Sequence, residues 1–205
     1  MKGNAPTSWN DLLSPKPEYK GKITMLATER WLMLPAQKAL GFSVNTTDED
    51  QMSQVQEKLT AAKQNLLTYD DTTFYSRLVS GEAVMVEAWD GWCNYGITDN
   101  PNIKFVIPKE GSDLWVDTMV ILKSSKNKEA AHAFINFILT PSVQAKETPY
   151  TYYATGVDAA VPCMDPTLGN DKSIFPSADT TWVYDVATQA WHERAAFDEG
   201  HYHRH

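Results

Sequence analysis

Cysteine, histidine, basic clusters and long apolar runs are all scarce in this chain of 205 residues. Its two cysteines, Cys93 and Cys163, match neither a zinc spacing nor a Cys-x-x-Cys redox pair, and leave open two buried thiols or one disulfide. No apolar stretch nears the roughly 20 residues that cross a bilayer, so a membrane span is excluded. Lys and Arg number 18 against 26 acids, a net charge of −8, with no basic cluster to grip phosphates. Nucleic acid is therefore not an expected partner. Gly91-Trp92 and Gly111-Ser112 are isolated, so no glycine-rich phosphate loop exists, and both the Gly-x-Ser-x-Gly elbow and His-Glu-x-x-His are missing. His132, between Ala131 and Ala133, reads as a surface residue. The His201-Tyr202-His203-Arg204-His205 tail offers imidazoles to a transition metal but reads first as a frayed terminus. No acid–base pair assembles, and neither cofactor nor metal is expected. Met1-Lys2-Gly3-Asn4 lacks the apolar stretch of a secretory signal, which fits a cytosolic protein or a mature or trimmed piece.

What the chain does hold is 42% hydrophobic and 21% charged residues, an ordinary globular balance, together with seven Trp, nine Tyr and seven Phe. Thr7 or Ser8 caps a turn over 8–13. Ile23 to Ala27 predicts a strand. Arg30 to Leu40 predicts a helix with Leu32, Ala36, Ala39 and Leu40 inward, Gly41 at its end, and Pro35 as a kink or late start. Asn45-Thr46-Thr47-Asp48 caps a helix to about Asn65 that carries Met52, Val55, Leu59 and Ala62 at 3–4 spacing. Strands are predicted over 66–69, 83–89, 103–107 and 115–122. A short helix is predicted over 73–80. Lys128 to Leu139 predicts a helix with the stripe Ala130, Ala133, Phe134, Phe137 and Ile138, followed by Pro141. Residues 148–180 read as mostly irregular, and 182–197 as a last helix. Strands alternating with helices indicate an α/β fold with a largely parallel sheet.

Aromatic–acid pairs are the informative constellations. In Leu114-Trp115-Val116-Asp117, spacing i, i+2 puts Trp115 and Asp117 on one face of an extended segment. An indole beside a carboxylate suits an ammonium group through cation–π attraction and a charge-assisted hydrogen bond. Glu87-Ala88-Trp89-Asp90-Gly91-Trp92 ends another strand with acids and indoles together, and ligands of open α/β sheets sit at the carboxyl ends of strands. Tyr150, Tyr152 and Tyr153 add a third group.

On these and further residues the chain resembles the periplasmic polyamine (spermidine/putrescine)-binding proteins of ABC transporters. The likeness runs from Thr7 to about Asp185. Its anchors are Thr7-Ser8-Trp9-Asn10-Asp11-Leu12, Pro17-Glu18-Tyr19-Lys20-Gly21, Leu40-Gly41-Phe42 with Asn45-Thr46-Thr47-Asp48, and Pro108-Lys109-Glu110-Gly111. Lys126-Asn127-Lys128-Glu129-Ala130, Ile135-Asn136-Phe137-Ile138-Leu139, Pro141 and Asn170-Asp171-Lys172-Ser173-Ile174-Phe175-Pro176 complete the series. The resemblance implies a type II periplasmic-binding-protein fold that closes on its ligand at a hinge, matched here over its later part only. It divides the chain into leader residues 1–6, a second ligand-binding lobe over 7–113, a return segment of the first lobe over 114–181, and a terminal helix and tail over 182–205. The missing secretory signal then reads as truncation of a periplasmic or extracellular protein.

The resemblance also implies a polyamine ligand and an ABC transporter permease as partner. Trp89 falls on a tryptophan that packs along the ligand's methylene chain. Trp115 and Asp117 fall on a stacking Trp and an amine-holding Asp, and Tyr153 on a ligand-lining tyrosine. Asp71 stands where the family can show a serine, and Asp90 is a further candidate. Where some members place two acids for the far amine, this chain has Thr28 and Trp31, with Glu29 out of register, and Val183 replaces an expected glutamine. The alternatives are another small solute on the same fold, such as an amino-acid conjugate or an anion met by Arg30, and an enzyme using Asp70, Asp71 or Glu87.

Overall fold

The computed structural model describes residues 5–176 and the backbone of 185–186. Helix α1 (Trp9–Leu13) opens the fold with a capping box: the Ser8 hydroxyl accepts the Asn10 N–H, and the Asp11 carboxylate takes the Ser8 and Thr7 N–H groups. After a short 3-10 turn (Pro17–Tyr19) comes β1 (Ile23–Met25), whose residues are all buried, as a strand covered on both faces requires. Helices α2 (Glu29–Ala39) and α3 (Glu49–Lys63) follow. Pro35 is accommodated inside α2, and Gly41 just beyond it takes φ +77°, where a side chain would be strained. Asp48 caps α3 by accepting the Gln51 N–H at 2.9 Å.

Strand β2 (Thr68–Tyr69), helix α4 (Phe74–Ser80), strand β3 (Met85–Val86) and helix α5 (Asp90–Asp99) complete the first unit. The strands form a parallel sheet in the order β2–β1–β3, with Thr24 opposite both Thr68 and Val86. Leu12, Leu13, Ile23, Met25, Ala36, Val55, Ala62 and Met85 make its core, with Leu32, Ala39, Leu40 and Leu59 packed against them. The α/β class and the parallel sheet expected from the sequence are therefore present. The three strands end side by side, so Leu26, Asp70 and Glu87 all emerge at one edge.

Beyond it lie β4 (Asp113–Leu114), α6 (Lys128–Ile138), α7 (Pro141–Thr151), a 3-10 turn (Asp158–Cys163), α8 (Pro166–Gly169) and β5 (Asp185–Val186), which pairs in parallel with β4. A second small core gathers Ala145, Ala160 and Met164 with Val157, Leu168 and Phe175.

Several sequence expectations are corrected. Residues 103–107 and 115–122 are not strands, although they are rich in β-formers. Propensity supplies an extended chain, but a strand needs a hydrogen-bonded neighbour, and only 113–114 finds one. Val116, Val120 and Leu122 stay exposed. Helix α6 forms as expected, yet Phe134 and Phe137 of its apolar stripe are 59% and 60% exposed, so it is not a core helix here. Helices α5 and α7 were not foreseen: two glycines dilute one, Pro149 sits inside the other, and neither has a clear apolar stripe. Cys93 and Cys163 are free thiols, not a disulfide. Asp185–Val186 is strand within the expected last helix. The rest of 182–205, including Val183 and the histidine tail, lies outside the described residues, as does most of the expected leader.

Candidate functional site

The edge where the strands end opens into a cleft of about 1210 Å³. Parallel strands run every carboxyl terminus to the same side, so the loops after β1 and β3 and the first turn of α5 meet there. Trp31, on the first turn of α2, stands edge-on to Trp89 at 5.4 Å between ring centroids. Trp89 rests in turn on buried Phe74 of α4 at 5.9 Å. A second aromatic wall comes from later in the chain: Trp115, just after β4, meets Tyr153, just after α7, edge-to-face at 5.3 Å. All but Phe74 line the cleft.

Glu87, Asp90, Asp113 and Asp117 line the same cleft. Glu87 is 3% exposed, and its Oε2 accepts the Leu26 N–H at 3.1 Å. Burial, then the charges of Asp113 and Asp71, push its pKa well above the usual carboxylate value against that one hydrogen bond. Asp90, at the start of α5, is pushed up to about 6 by burial and by Asp113, against hydrogen bonds from the Gly91 N–H and its own. Asp113 is also raised by burial, although Arg30 and Lys38 pull it back, and its Oδ2 is buried without a hydrogen-bond partner. The Tyr153 hydroxyl is raised by burial and by Asp90 and Asp117. Glu87, Asp90 and Asp113, withdrawn from water, with the charge of Asp113 acting on the other two, favour a cation among them.

The expected residues divide. Trp89, Asp90, Trp115, Asp117 and Tyr153 come together on the cleft. Trp115 and Asp117 share it even though their segment is unpaired, and their neighbours Leu114 and Val116 line it as well. Asp71 does not line it: its carboxylate is taken up by the Ala27 N–H at 2.7 Å, the Thr28 N–H at 3.4 Å and the Thr28 hydroxyl at 3.1 Å. It ties the loop after β2 to the entry of α2. Glu29 is exposed at the first position of α2 and is not part of the cleft lining. Trp31, Glu87 and Asp113 also line the cleft and were not among the expected site. The alternation that selected Trp115 and Asp117 extends back to Asp113, and the strand-end rule covers Glu87 as well as Trp89. Trp31 had no such signal. Among the described residues no group of three His, Cys, Asp or Glu side chains could hold a metal ion. No described helix is long and apolar enough to cross a membrane.

A parallel α/β sheet whose strand ends open into a cleft of indoles and acids is the architecture of a small-solute-binding protein. The chain belongs to the bacterial extracellular solute-binding proteins, whose family model matches residues 1–176. It is 35% identical over 185 residues to the spermidine/putrescine-binding periplasmic protein of Salmonella typhimurium, covering 88% of this chain and 52% of that one. It thus spans about half the length of the curated relatives it matches. Among solved structures, it superposes on a putative spermidine/putrescine ABC transporter protein from Listeria monocytogenes with a TM-score of 0.82 at 27% identity, over 95% of this chain and 62% of that one. The spermidine/putrescine ABC transporter substrate-binding protein of Streptococcus pneumoniae gives 0.79 at 28%, over 96% and 61%. The fold is the periplasmic-binding-protein fold, and these relatives are transport-associated binding proteins.

Proposed function

We propose that this chain carries the ligand-gripping part of the substrate-binding component of an ABC importer, and that its ligand is a polyamine such as putrescine or spermidine. One observation carries the reading: Glu87, Asp90, Asp113 and Asp117 share one cleft with Trp31, Trp89, Trp115 and Tyr153. Trp31, Trp89, Trp115 and Tyr153 would line the alkyl chain, and Asp90, Asp113 and Asp117 would pair with the ammonium groups. Each cation–π contact contributes about 0.5–2 kcal/mol and each charge-assisted hydrogen bond about 1.5–3, enough for micromolar affinity after ordering costs. Residues 7–113 would form one lobe and 114–181 would return to a second. Closure about the hinge between them would present the liganded protein to a permease at the outer face of the membrane. The anion reading is disfavoured, because Arg30 is buried and its charge acts on Asp113.

Calorimetric titration with putrescine, spermidine and spermine, set against glutamate and a neutral amino acid, tests this. Saturable heat is expected with the amines only. A preference for glutamate would sink the reading.

A further inference from the structure

We propose that Glu87 is a further specificity-determining residue of the cleft, selecting for charge by releasing its own proton to solvent as an ammonium group arrives. The inference rests on the cation reading above and adds a residue and a proton linkage to it.

Glu87 stands one residue past β3. Its N–H extends the sheet by donating to the Thr24 carbonyl at 3.0 Å, which fixes its backbone. Its side chain is folded inward to the Leu26 N–H, one residue past β1, and lines the cleft beside Leu26, Trp31 and Trp89. It is thus a buried carboxyl that still borders the ligand space.

The groups around it come from every neighbouring element. Asp90 of α5, Asp113 of β4 and Asp117 of the segment after it line the same cleft, and Asp71 lies on the loop after β2. The charges that act on Glu87 itself are those of Asp113 and Asp71, both negative. The cations of α2, Arg30 and Lys38, act on Asp113. Burial and like charge therefore both favour the neutral acid, and one backbone N–H opposes them.

An ammonium group in the cleft reverses that balance. The carboxyl O–H bond breaks, the proton passes to water or buffer, and the carboxylate accepts an N–H from the ligand. A neutral solute offers Glu87 no charge to ionise against, so it meets a carboxylic acid and gains no charge-assisted bond. Ligand charge is thereby read by the ionisation of a residue already in place.

The test is titration of the 205-residue chain with putrescine at about pH 5.5 and about pH 8, in two buffers of different ionisation heat, for wild type and Glu87→Gln. The glutamine oxygen can still accept the Leu26 N–H, and thermal unfolding of the unliganded variant is expected to match or exceed wild type at the higher pH. Wild type is expected to release protons on binding and to bind more tightly at the higher pH. The variant should bind about 10- to 100-fold more weakly there, with a smaller proton release and a flatter pH profile. Wild-type binding without proton release, together with equal affinity in Glu87→Gln, overturns this inference and leaves the functional reading standing. A destabilised variant beside a wild type that releases no proton assigns Glu87 a structural role and also overturns it. Failure of wild type to bind the amine at either pH overturns the functional reading and this inference together.

Discussion

The ring of Tyr153 occupies the space that a side chain on Gly91 would need: a Cβ at Gly91 would lie 2.6 Å from the tyrosine ring and 2.8 Å from the Thr151 carbonyl oxygen. The first turn of α5 and the end of α7 are joined there by ring against bare backbone. Because Tyr153 also carries Trp115 edge-on, this one absent methyl group positions the second aromatic wall relative to the first.

Gly91→Ala is accordingly expected to cost about 1–3 kcal/mol of stability, since the Thr151 backbone cannot yield as a flexible side chain would. Amine affinity should drop with it as Tyr153 and Trp115 are displaced. Urea denaturation and titration with putrescine check the two effects separately. An unchanged midpoint and affinity would show that the ring is free to move.

Trp31→Ala should weaken amine binding about tenfold or more while leaving the fold intact, because the indole is a wall of the cleft and steadies Trp89 rather than filling the core. The measurement is a titration, with far-UV circular dichroism as the control. Equal affinity would remove Trp31 from the ligand surface.

Asp90→Asn should change how stability depends on pH. The folded protein holds a proton on Asp90 up to about pH 6, whereas an ordinary aspartate, at 3.8, loses it earlier. Ionising this group inside the fold therefore lowers stability as pH rises from about 4 to about 6, and the loss persists above. The variant should match wild type at the acid end and be the more stable of the two at neutral pH, read by urea denaturation across that range.

Asp70 acts in the opposite sense. Burial would raise its pKa, but the Thr73 hydroxyl at 2.5 Å, the Thr73 N–H at 2.8 Å, Arg77 Nε at 2.7 Å and the Thr72 N–H at 3.0 Å outweigh it and hold the carboxylate well below its usual range. The stability it contributes is present above the unfolded aspartate pKa and is lost as pH falls through the folded one. Asp70→Asn should cost about 1–3 kcal/mol at neutral pH, with the gap narrowing in strong acid. A constant gap at all pH values would assign the effect to packing. These bonds also commit Asp70 to the Thr72–Thr73 turn that leads into α4.

Glu110 clamps the start of the chain. Its carboxylate accepts the Ser8 hydroxyl and the Trp9 N–H, while the Trp9 indole N–H donates to the Gly111 carbonyl at 2.8 Å. Glu110→Ala should speed hydrogen exchange over α1 by about tenfold or more, with little change in β1. Equal acceleration in β1 would mean that the clamp stabilises the whole unit.

By itself the sequence determined what is local. Thr7 or Ser8, the Asn45-Thr46-Thr47-Asp48 stretch and the Gly41 stop bounded helices, and alternation put Trp115 and Asp117 on one side of their segment. Ile23 to Ala27 was recognisable as a strand, and the aromatic–acid pairs pointed to an ammonium ligand. Only the tertiary structure decided which charges meet. Asp71 and Glu29 look as eligible as Glu87 in the sequence, yet Asp71 is bound to the Ala27 and Thr28 amides and Glu29 faces water. Glu87, by contrast, is turned inward at the sheet edge. Whether 115–122 pairs, and whether the Phe134–Phe137 stripe is covered, likewise depended on neighbours supplied by other parts of the fold. The reason is physical: capping and periodicity act over a few residues and are written in them, whereas burial, strand pairing and the field at a carboxylate are set by residues tens of positions away.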